Sequence, residues 1–282
     1  MRKSLENGEK KSAYTRNGAK MTFTSPERWR FTSHTRVELK ELAAKATLVL
    51  PLGSIEQHGH HLPVAVDAAI VTHLAEQAVA KASAQAPILL LPTLPFGFAQ
   101  HHLPFGGTVS VHAETYINIL TDICLGLAEQ GFKRIAFLNG HGGNETPMRL
   151  VADKILSQLK LNLHLSAASY WHISEPCFTE MGFPAALTPG HAGHFETSLM
   201  LAIAPDLVRL EQRPHDQTPM QPLAAPGLAG AYTRRPQLWE KSDGRTDDAS
   251  RASAELGARL VPAMIDEIST FIIKFHNSTN QN

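Results

Sequence analysis

The stretch Gly53-Ser54-Ile55-Glu56-Gln57-His58-Gly59-His60-His61-Leu62-Pro63-Val64-Ala65-Val66-Asp67 gathers the side chains best suited to chemistry. Glu56 and His58 are two residues apart, so in extended chain both point to one side. Asp67 opens the helical pattern that follows and can fold back over them. Carboxylate, imidazole and carboxylate form a mixed oxygen and nitrogen donor set that suits zinc, manganese or iron. Taken alone, the stretch also reads as a solvated turn in which Asp67 merely caps a helix.

Two more patches carry similar residues. In Asn139-Gly140-His141-Gly142-Gly143-Asn144, three glycines surround His141. Glycine admits positive φ and close backbone approach. Backbone N–H groups of Gly142, Gly143 and Asn144 can therefore face a substrate oxygen as an oxyanion hole. The bland reading is a tight turn with an incidental histidine. A phosphate loop fits poorly, because neither the GxGxxG spacing nor a Walker Lys-Ser/Thr ending is present. The third patch is Gly190-His191-Ala192-Gly193-His194-Phe195-Glu196-Thr197-Ser198. His191 suits acid/base work, since imidazole titrates near neutral pH. Glu196 is a candidate ligand or catalytic carboxylate, although a glutamate in a first helical turn gains from the dipole without any function. Two ions about 3.5–4 Å apart need a bridging carboxylate, which Asp67 suits, and a metal-bound hydroxide would be the nucleophile. No Gly-x-Ser-x-Gly elbow occurs, and neither Cys124 nor Cys177 lies in these patches. A covalent serine or cysteine hydrolase is disfavoured.

The elements that must position these residues are legible as an alternation. The spacing predicts strands over 47–52, 88–92, 134–138 and 163–170. It predicts helices over 68–82, 112–130, 145–159, 193–203 and 249–275, the last broken at Pro262, with a short helical segment before residue 45. Such alternation implies a mostly parallel sheet with helices on both faces. The loops after the strands then open on one edge, and they hold His58, His60, His61, His101, His102 and His141. Trp171, just after the fourth strand, could stack on a planar substrate or simply fill the core. Residues 205–248 read as mostly irregular, rich in Pro and Gly.

Bulk composition sets the outer bounds. With 282 residues, 43% of them hydrophobic, the chain can bury a sizeable core. Lys plus Arg and Asp plus Glu both number 26, so nothing points to nucleic acid or an anionic membrane as partner. Two cysteines argue against a disulfide framework and make a reducing, cytoplasmic setting the default. No apolar run reaches the roughly 18 residues of a spanning helix. Residues 1–25 read as a disordered polar tail, and 26–282 as a single catalytic domain.

At these three patches the sequence resembles the creatininase family, the creatinine amidohydrolase-like proteins. Gly53 to Pro63 with Asp67 looks like the family's first metal motif, Asn139 to Asn144 like its second, and His191 to Ser198 like its third. The resemblance spans roughly residues 45 to 205. It implies an α/β fold, a three-layer α/β/α sandwich with a mostly parallel sheet. It also implies two divalent ions, zinc first and manganese or iron as alternatives. Glu56, Asp67 and His141 would hold one ion, and His58 and Asp67 the other, with Asp67 bridging. His191 matches the family's acid/base histidine. A homo-oligomer, often a hexamer in the family, is expected. The family's activities are hydrolyses of amide-type C–N bonds: opening of creatinine, deformylation of a formamidopyrimidine, and cleavage of a modified precursor peptide. In creatininase itself the second motif reads His-x-Glu, with that Glu on a metal. Here Gly143 stands at its place, and Glu196 could supply the missing carboxylate. The expected function is a metal-dependent amidohydrolase acting on a small cyclic amide or formamide. The alternatives are a peptidase on a small precursor peptide, or a non-catalytic binding protein that kept the fold.

Overall fold

The computed structural model describes residues 28–184, 187–214 and 237–279. The expected tail at 1–25, and the 215–236 part of the expected irregular stretch, lie outside the described residues. Four strands form one parallel sheet: β1 (Thr47–Leu52), β2 (Ile88–Leu90), β3 (Arg134–Asn139) and β4 (His164–Ser169), in the order β2-β1-β3-β4. Both central strands, β1 and β3, are buried along their whole length. That is why β1 reads as an unbroken apolar run rather than an alternation. The alternation exists but serves two cores. Leu48, Leu50 and Leu52 face one core with Ile135 and Phe137, while Val49 and Leu138 face the other.

Helices cover both faces, giving the expected three layers. They are α1 (Arg36–Leu42), α2 (Val66–Ser83), α3 (Ala113–Glu129), α4 (Glu145–Asp153), α5 (Tyr170–Ile173), α6 (Glu175–Glu180), α7 (His194–Ile203), α8 (Leu238–Lys241) and α9 (Ala254–Ser278). Residues of α2, α5, α6, α7 and α9 build the core with Val49, and residues of α1, α3 and α4 build the other. On α3 the buried stripe is Tyr116, Leu120, Cys124 and Leu127, at helical spacing. Three boundaries differ from expectation. α4 ends at Asp153, and a wider π-helical turn takes over Lys154–Gln158. The last helix starts five residues later than expected, at Ala254, where Ser253 accepts the Leu256 N–H as N-cap. Pro262 does not break it. Pro262 and Ala258, whose carbonyl loses its partner, both lie on the exposed face, where water can serve that carbonyl. Among the described residues, no helix is long and apolar enough to cross a membrane.

This topology places a crevice. From β1 the chain passes through α2 on one face to β2. From β2 it returns through α3 on the opposite face to β3, beyond β1. The chain therefore leaves β1 and β3 on opposite faces, and their carboxyl ends flank the switch point where α/β folds bind ligands. Two glycines let α2 start directly on those strand ends. A Cβ on Gly53 would come within 2.7 Å of Ala68 Cα, and one on Gly140 within 2.7 Å of Val71 Cβ and 3.0 Å of the Asp67 carbonyl.

Helix α7 is held by α9 at similarly close range. A Cβ on Gly257 of α9 would run into the Ser198 carbonyl and approach Ala202 Cβ to 2.8 Å. Gly257→Ala adds helix propensity of about 1 kcal/mol, yet overpacking such a contact costs about 1–3 kcal/mol. We expect net destabilisation in urea unfolding and a displaced α7. A variant more stable than the parent would show that the two helices can separate freely.

Candidate metal centre

The loop leaving β1 carries the first donors. The Glu56 N–H bonds the Val64 carbonyl at 2.8 Å and Ile55 bridges Val109, so the loop is pinned on both sides of Glu56. Asp67 lies in the first turn of α2, with Ala65 rather than Asp67 as its N-cap. His141 directly follows β3, and Glu196 lies in the first turn of α7. Glu56, His58, Asp67, His141, His191 and Glu196 are all buried.

These side chains converge. His141 Nδ1 lies 3.1 Å from Glu56 Oε2 and 3.0 Å from Asp67 Oδ2. His58 Nε2 lies 3.2 Å from Asp67 Oδ1 and 3.7 Å from Glu196 Oε2. Asp67 thus turns one oxygen to each imidazole, the position a bridge requires. The other ring nitrogens are committed to backbone. His58 Nδ1–H donates to the Glu56 carbonyl at 3.0 Å, and His141 Nε2–H to the Phe98 carbonyl at 3.1 Å. Each ring therefore turns its second nitrogen to a carboxylate oxygen, an arrangement that needs a proton or a metal cation between them. Glu56 Oε1, His58 Nε2 and Asp67 Oδ2 are buried with no hydrogen-bond partner. Glu56, His58 and Asp67 each offer one atom within a 4.8 Å set, as do His58, His191 and Glu196. The donor set fits divalent ions of the zinc, manganese or iron type.

The electrostatics show the same demand. Burial opposes charge on His58, yet Asp67 and Glu196 outweigh it and hold the ring well above its ordinary 6.5. His141, likewise opposed by burial, is held up to about 10 by Glu56 and Asp67. Burial raises the Glu56 and Glu196 carboxyls, Glu196 to about 7. Burial also acts on Asp67, but His58 and His141 overcome it and keep that carboxyl below its ordinary value. Protons thus occupy the positions between imidazole and carboxylate that cations could fill. His191 is different. Burial first, then His58, keeps it well below 6.5 and therefore neutral. Its Nε2–H donates to the Gln57 carbonyl at 2.9 Å, and bare Nδ1 lies 3.6 Å from Glu56 Oε1.

The substrate-side residues fare differently. Asn144 is fully buried and its amide is spent on the fold: Oδ1 accepts the Phe98 N–H and Nδ2 donates to the Gly53 carbonyl, each at 3.0 Å. Its N–H goes to the His141 carbonyl, so Asn144 ties three loops together. The glycines of this turn are not at positive φ. Gly143 is required because a Cβ there would strike the Phe98 carbonyl and His141 Nε2, which also rules out any carboxylate at this place. Gly142 is exposed, with open space around its Cβ position. Trp171 is core rather than a stacking residue: it is buried in the α2/α9 cluster, with its ring edge-on to Tyr170 at 5.0 Å.

Three residues at the site stand outside the expected set. His102 is buried, its Nε2 3.4 Å from Glu56 Oε1 and its ring stacked on His191 at 4.3 Å. Gln57 reaches His102, His191 and the Gly244 carbonyl. Trp239 of α8 packs against His101, His102 and His191 at 5.3, 4.6 and 5.4 Å. The paired histidines 101 and 102 in a strand-end loop were the available signal for the first. Trp239 comes from a stretch whose composition reads as irregular. The third patch is closed by the same stretch: the His191 N–H donates to Thr246 Oγ1 at 2.6 Å, and Asp247 Oδ2 accepts the His194 N–H at 2.9 Å at the start of α7.

The family model described as "Creatininase: Creatinine amidohydrolase" matches residues 32–272. The chain is 29% identical over 230 residues to the creatinine amidohydrolase of Pseudomonas putida, covering 73% of this chain and 86% of that protein. It is 31% identical over 229 residues to the mycofactocin precursor peptide peptidase of Mycobacterium tuberculosis, covering 78% and 82%. It is 26% identical over 259 residues to the 3-dehydro-scyllo-inosose hydrolase of Thermotoga maritima, covering 86% and 82%. Among solved structures it resembles a manganese creatininase, with a TM-score of 0.71, 27% identity and coverage of 87% and 98%. It also resembles a mutant creatininase of Zn-Zn type, with a TM-score of 0.70, 27% identity and coverage of 86% and 96%.

The proton-filled centre has a pH signature. A group raised in the folded state stabilises fully below its unfolded pKa and loses that contribution as pH climbs through the folded value. For Glu196 the window runs from 4.5 to about 7, and for His141 from 6.5 to about 10. Metal-free protein should therefore lose thermal stability from neutral pH to about pH 9, and the gain on adding zinc should grow over that range. Melting curves at several pH values with and without zinc test this. A metal-free midpoint that stays level would contradict it.

Proposed function

We propose, for a chain that belongs to the creatininase family and is one of its hydrolases, a metal-dependent amidohydrolase cleaving a C–N bond of a small cyclic amide or formamide. The observation that carries this reading is the buried set of carboxylate and imidazole atoms converging on Asp67. Glu56, Asp67 and His141 would hold one ion, and His58, Asp67 and Glu196 the other. When bound, such ions lower the pKa of water and polarise a carbonyl. The chain's own groups do the rest. His191 is neutral with Nδ1 bare, so it can take the proton released as water adds to the carbonyl carbon, and deliver it to the nitrogen as the C–N bond breaks. The Gly142 and Gly143 N–H groups would steady the substrate oxygen; those of Gly140, His141 and Asn144 are used within the protein. Gly143, which excludes a side chain, leaves Glu196 as the second carboxylate beside His58, after Asp67. This supports family-level chemistry with a substrate other than creatinine.

A second reading is a peptidase. It is favoured by the 31% identity to the mycofactocin precursor peptide peptidase. It is also favoured by exposed Val64, Phe96, Leu103 and Val109 on the loops that carry Glu56 and His102, a surface suited to a peptide chain.

Elemental analysis after loading with zinc, manganese or iron should give about two ions per chain. His58→Ala should lose ions and activity together. His191→Ala should keep its ions and slow turnover by about 10²–10⁴-fold on whichever cyclic or formyl amide the parent cleaves. Loss of ions from His191→Ala would make it a ligand, and no binding by the parent under any loading would remove the hydrolase reading. Cleavage confined to peptides in the panel would select the second reading.

A further inference from the structure

The Gln57 side chain fixes the protonation of its neighbours. Its Oε1 accepts the Gly59 N–H at 2.9 Å, and its Nε2 donates to the Gly244 carbonyl at 2.8 Å. Exchanging oxygen and nitrogen would set donor against donor and acceptor against acceptor, so two backbone groups determine the amide orientation. Nε2 carries two protons. One goes to Gly244. The other has two nitrogens within reach: His191 Nε2 at 3.1 Å and His102 Nδ1 at 2.9 Å. His191 Nε2 already carries a proton, donated to the Gln57 carbonyl. The acceptor is therefore His102 Nδ1, and the His102 proton sits on Nε2.

That nitrogen faces Glu56 Oε1 at 3.4 Å. Oε1 has no hydrogen-bond partner, and His102 Nε2 at 3.4 Å lies nearer to it than His191 Nδ1 at 3.6 Å. With Nε2 bare, Glu56, His102 and His191 would form a further ion-binding set, since one atom from each lies within 4.8 Å of the others. With Nε2 protonated, His102 cannot be a ligand there. Its ring, stacked on His191 and edge-on to Trp239, has no room to turn this proton elsewhere.

We propose that His102 is a positioning residue, locked by Gln57 as an Nε2–H donor toward Glu56 Oε1, so that Glu56 offers Oε2 to an ion on the Asp67 side and none is captured on the His102 side. The proposal rests on the hydrolase reading above for the identity of the bound group. The lock itself is a property of the chain and can be read without any ion.

The test uses full-length protein with ¹⁵N-labelled histidine, metal-free and zinc-loaded. Long-range ¹H–¹⁵N spectra should show His102 with Nδ1 unprotonated and Nε2 protonated in both states, and Gln57→Glu should move the proton to Nδ1. In chelator competition, His102→Phe should weaken zinc binding by about 10–100-fold. His102→Gln, which restores an N–H near the Nε2 position, should recover most of the loss, whereas a purely space-filling role would be served by Phe. A proton on Nδ1 in the parent, a zinc-induced shift marking Nε2 as a ligand, or parental zinc affinity in His102→Phe would each overturn the proposal. Failure of the parent to bind zinc at all would overturn the hydrolase reading and the role of the lock with it. The metal-free spectra would still report whether the lock exists.

Discussion

Everything in this fold turns on the Asp67 carboxylate, a charge with almost no access to water. Burying an ionised carboxylate is costly unless opposite charge and hydrogen bonds surround it. Here Glu56 and Glu196 are buried within reach of the same imidazoles, so the negative charge is concentrated. Two imidazoles answer it here, and divalent cations would answer it more fully. The sheet order supplies the means. Because β1 and β3 are neighbours whose following helices lie on opposite faces, the start of α2 can be set down between the two strand ends. Gly53 and Gly140 remove the side chains that would hold it off.

The sheet was legible because burial on both faces leaves a plain mark. Thr47–Leu52 is uninterrupted apolar chain in sequence and a wholly buried strand in structure. The donors were legible for a related reason: carboxylates and imidazoles clustered after strands have few other uses. What could not be read were side chains whose meaning depends on distant backbone. Gln57 sits between two donors and looks incidental, yet its amide is oriented by a carbonyl at Gly244. Asn144 and Trp171 show the opposite case. Their types suggest substrate contact, but the surrounding loops and helices use them for cohesion. Trp171 and Trp239 are alike in sequence terms, and only the packing of α8 over the histidines separates them.

The three motif loops are also not self-sufficient. His191, Ala192 and Gly193 enclose their approach to α7 only because Thr246 and Asp247 lie alongside. Thr246 accepts the His191 N–H and returns its own N–H to the His191 carbonyl. Asp247 accepts the His194 N–H where α7 begins, a favourable place for a carboxylate. The segment 244–247, featureless by composition, is in effect the outer wall of the centre.

The exclusion of a side chain at Gly143 has a consequence for how the protein matures. With no side chain possible at position 143, a second ion of the kind proposed would depend on Glu196, and α7 is seated by its close contact with α9, through Ser198 and Gly257. During synthesis, the donors from Glu56 to His141 emerge well before the helix that fixes Glu196. A chain in which α9 has not yet docked would already contain Glu56, Asp67 and His141, but its Glu196 would not yet be seated by the Ser198–Gly257 contact. Under the proposed reading, the two coordination sets would therefore be completed in order, the one that needs Glu196 last.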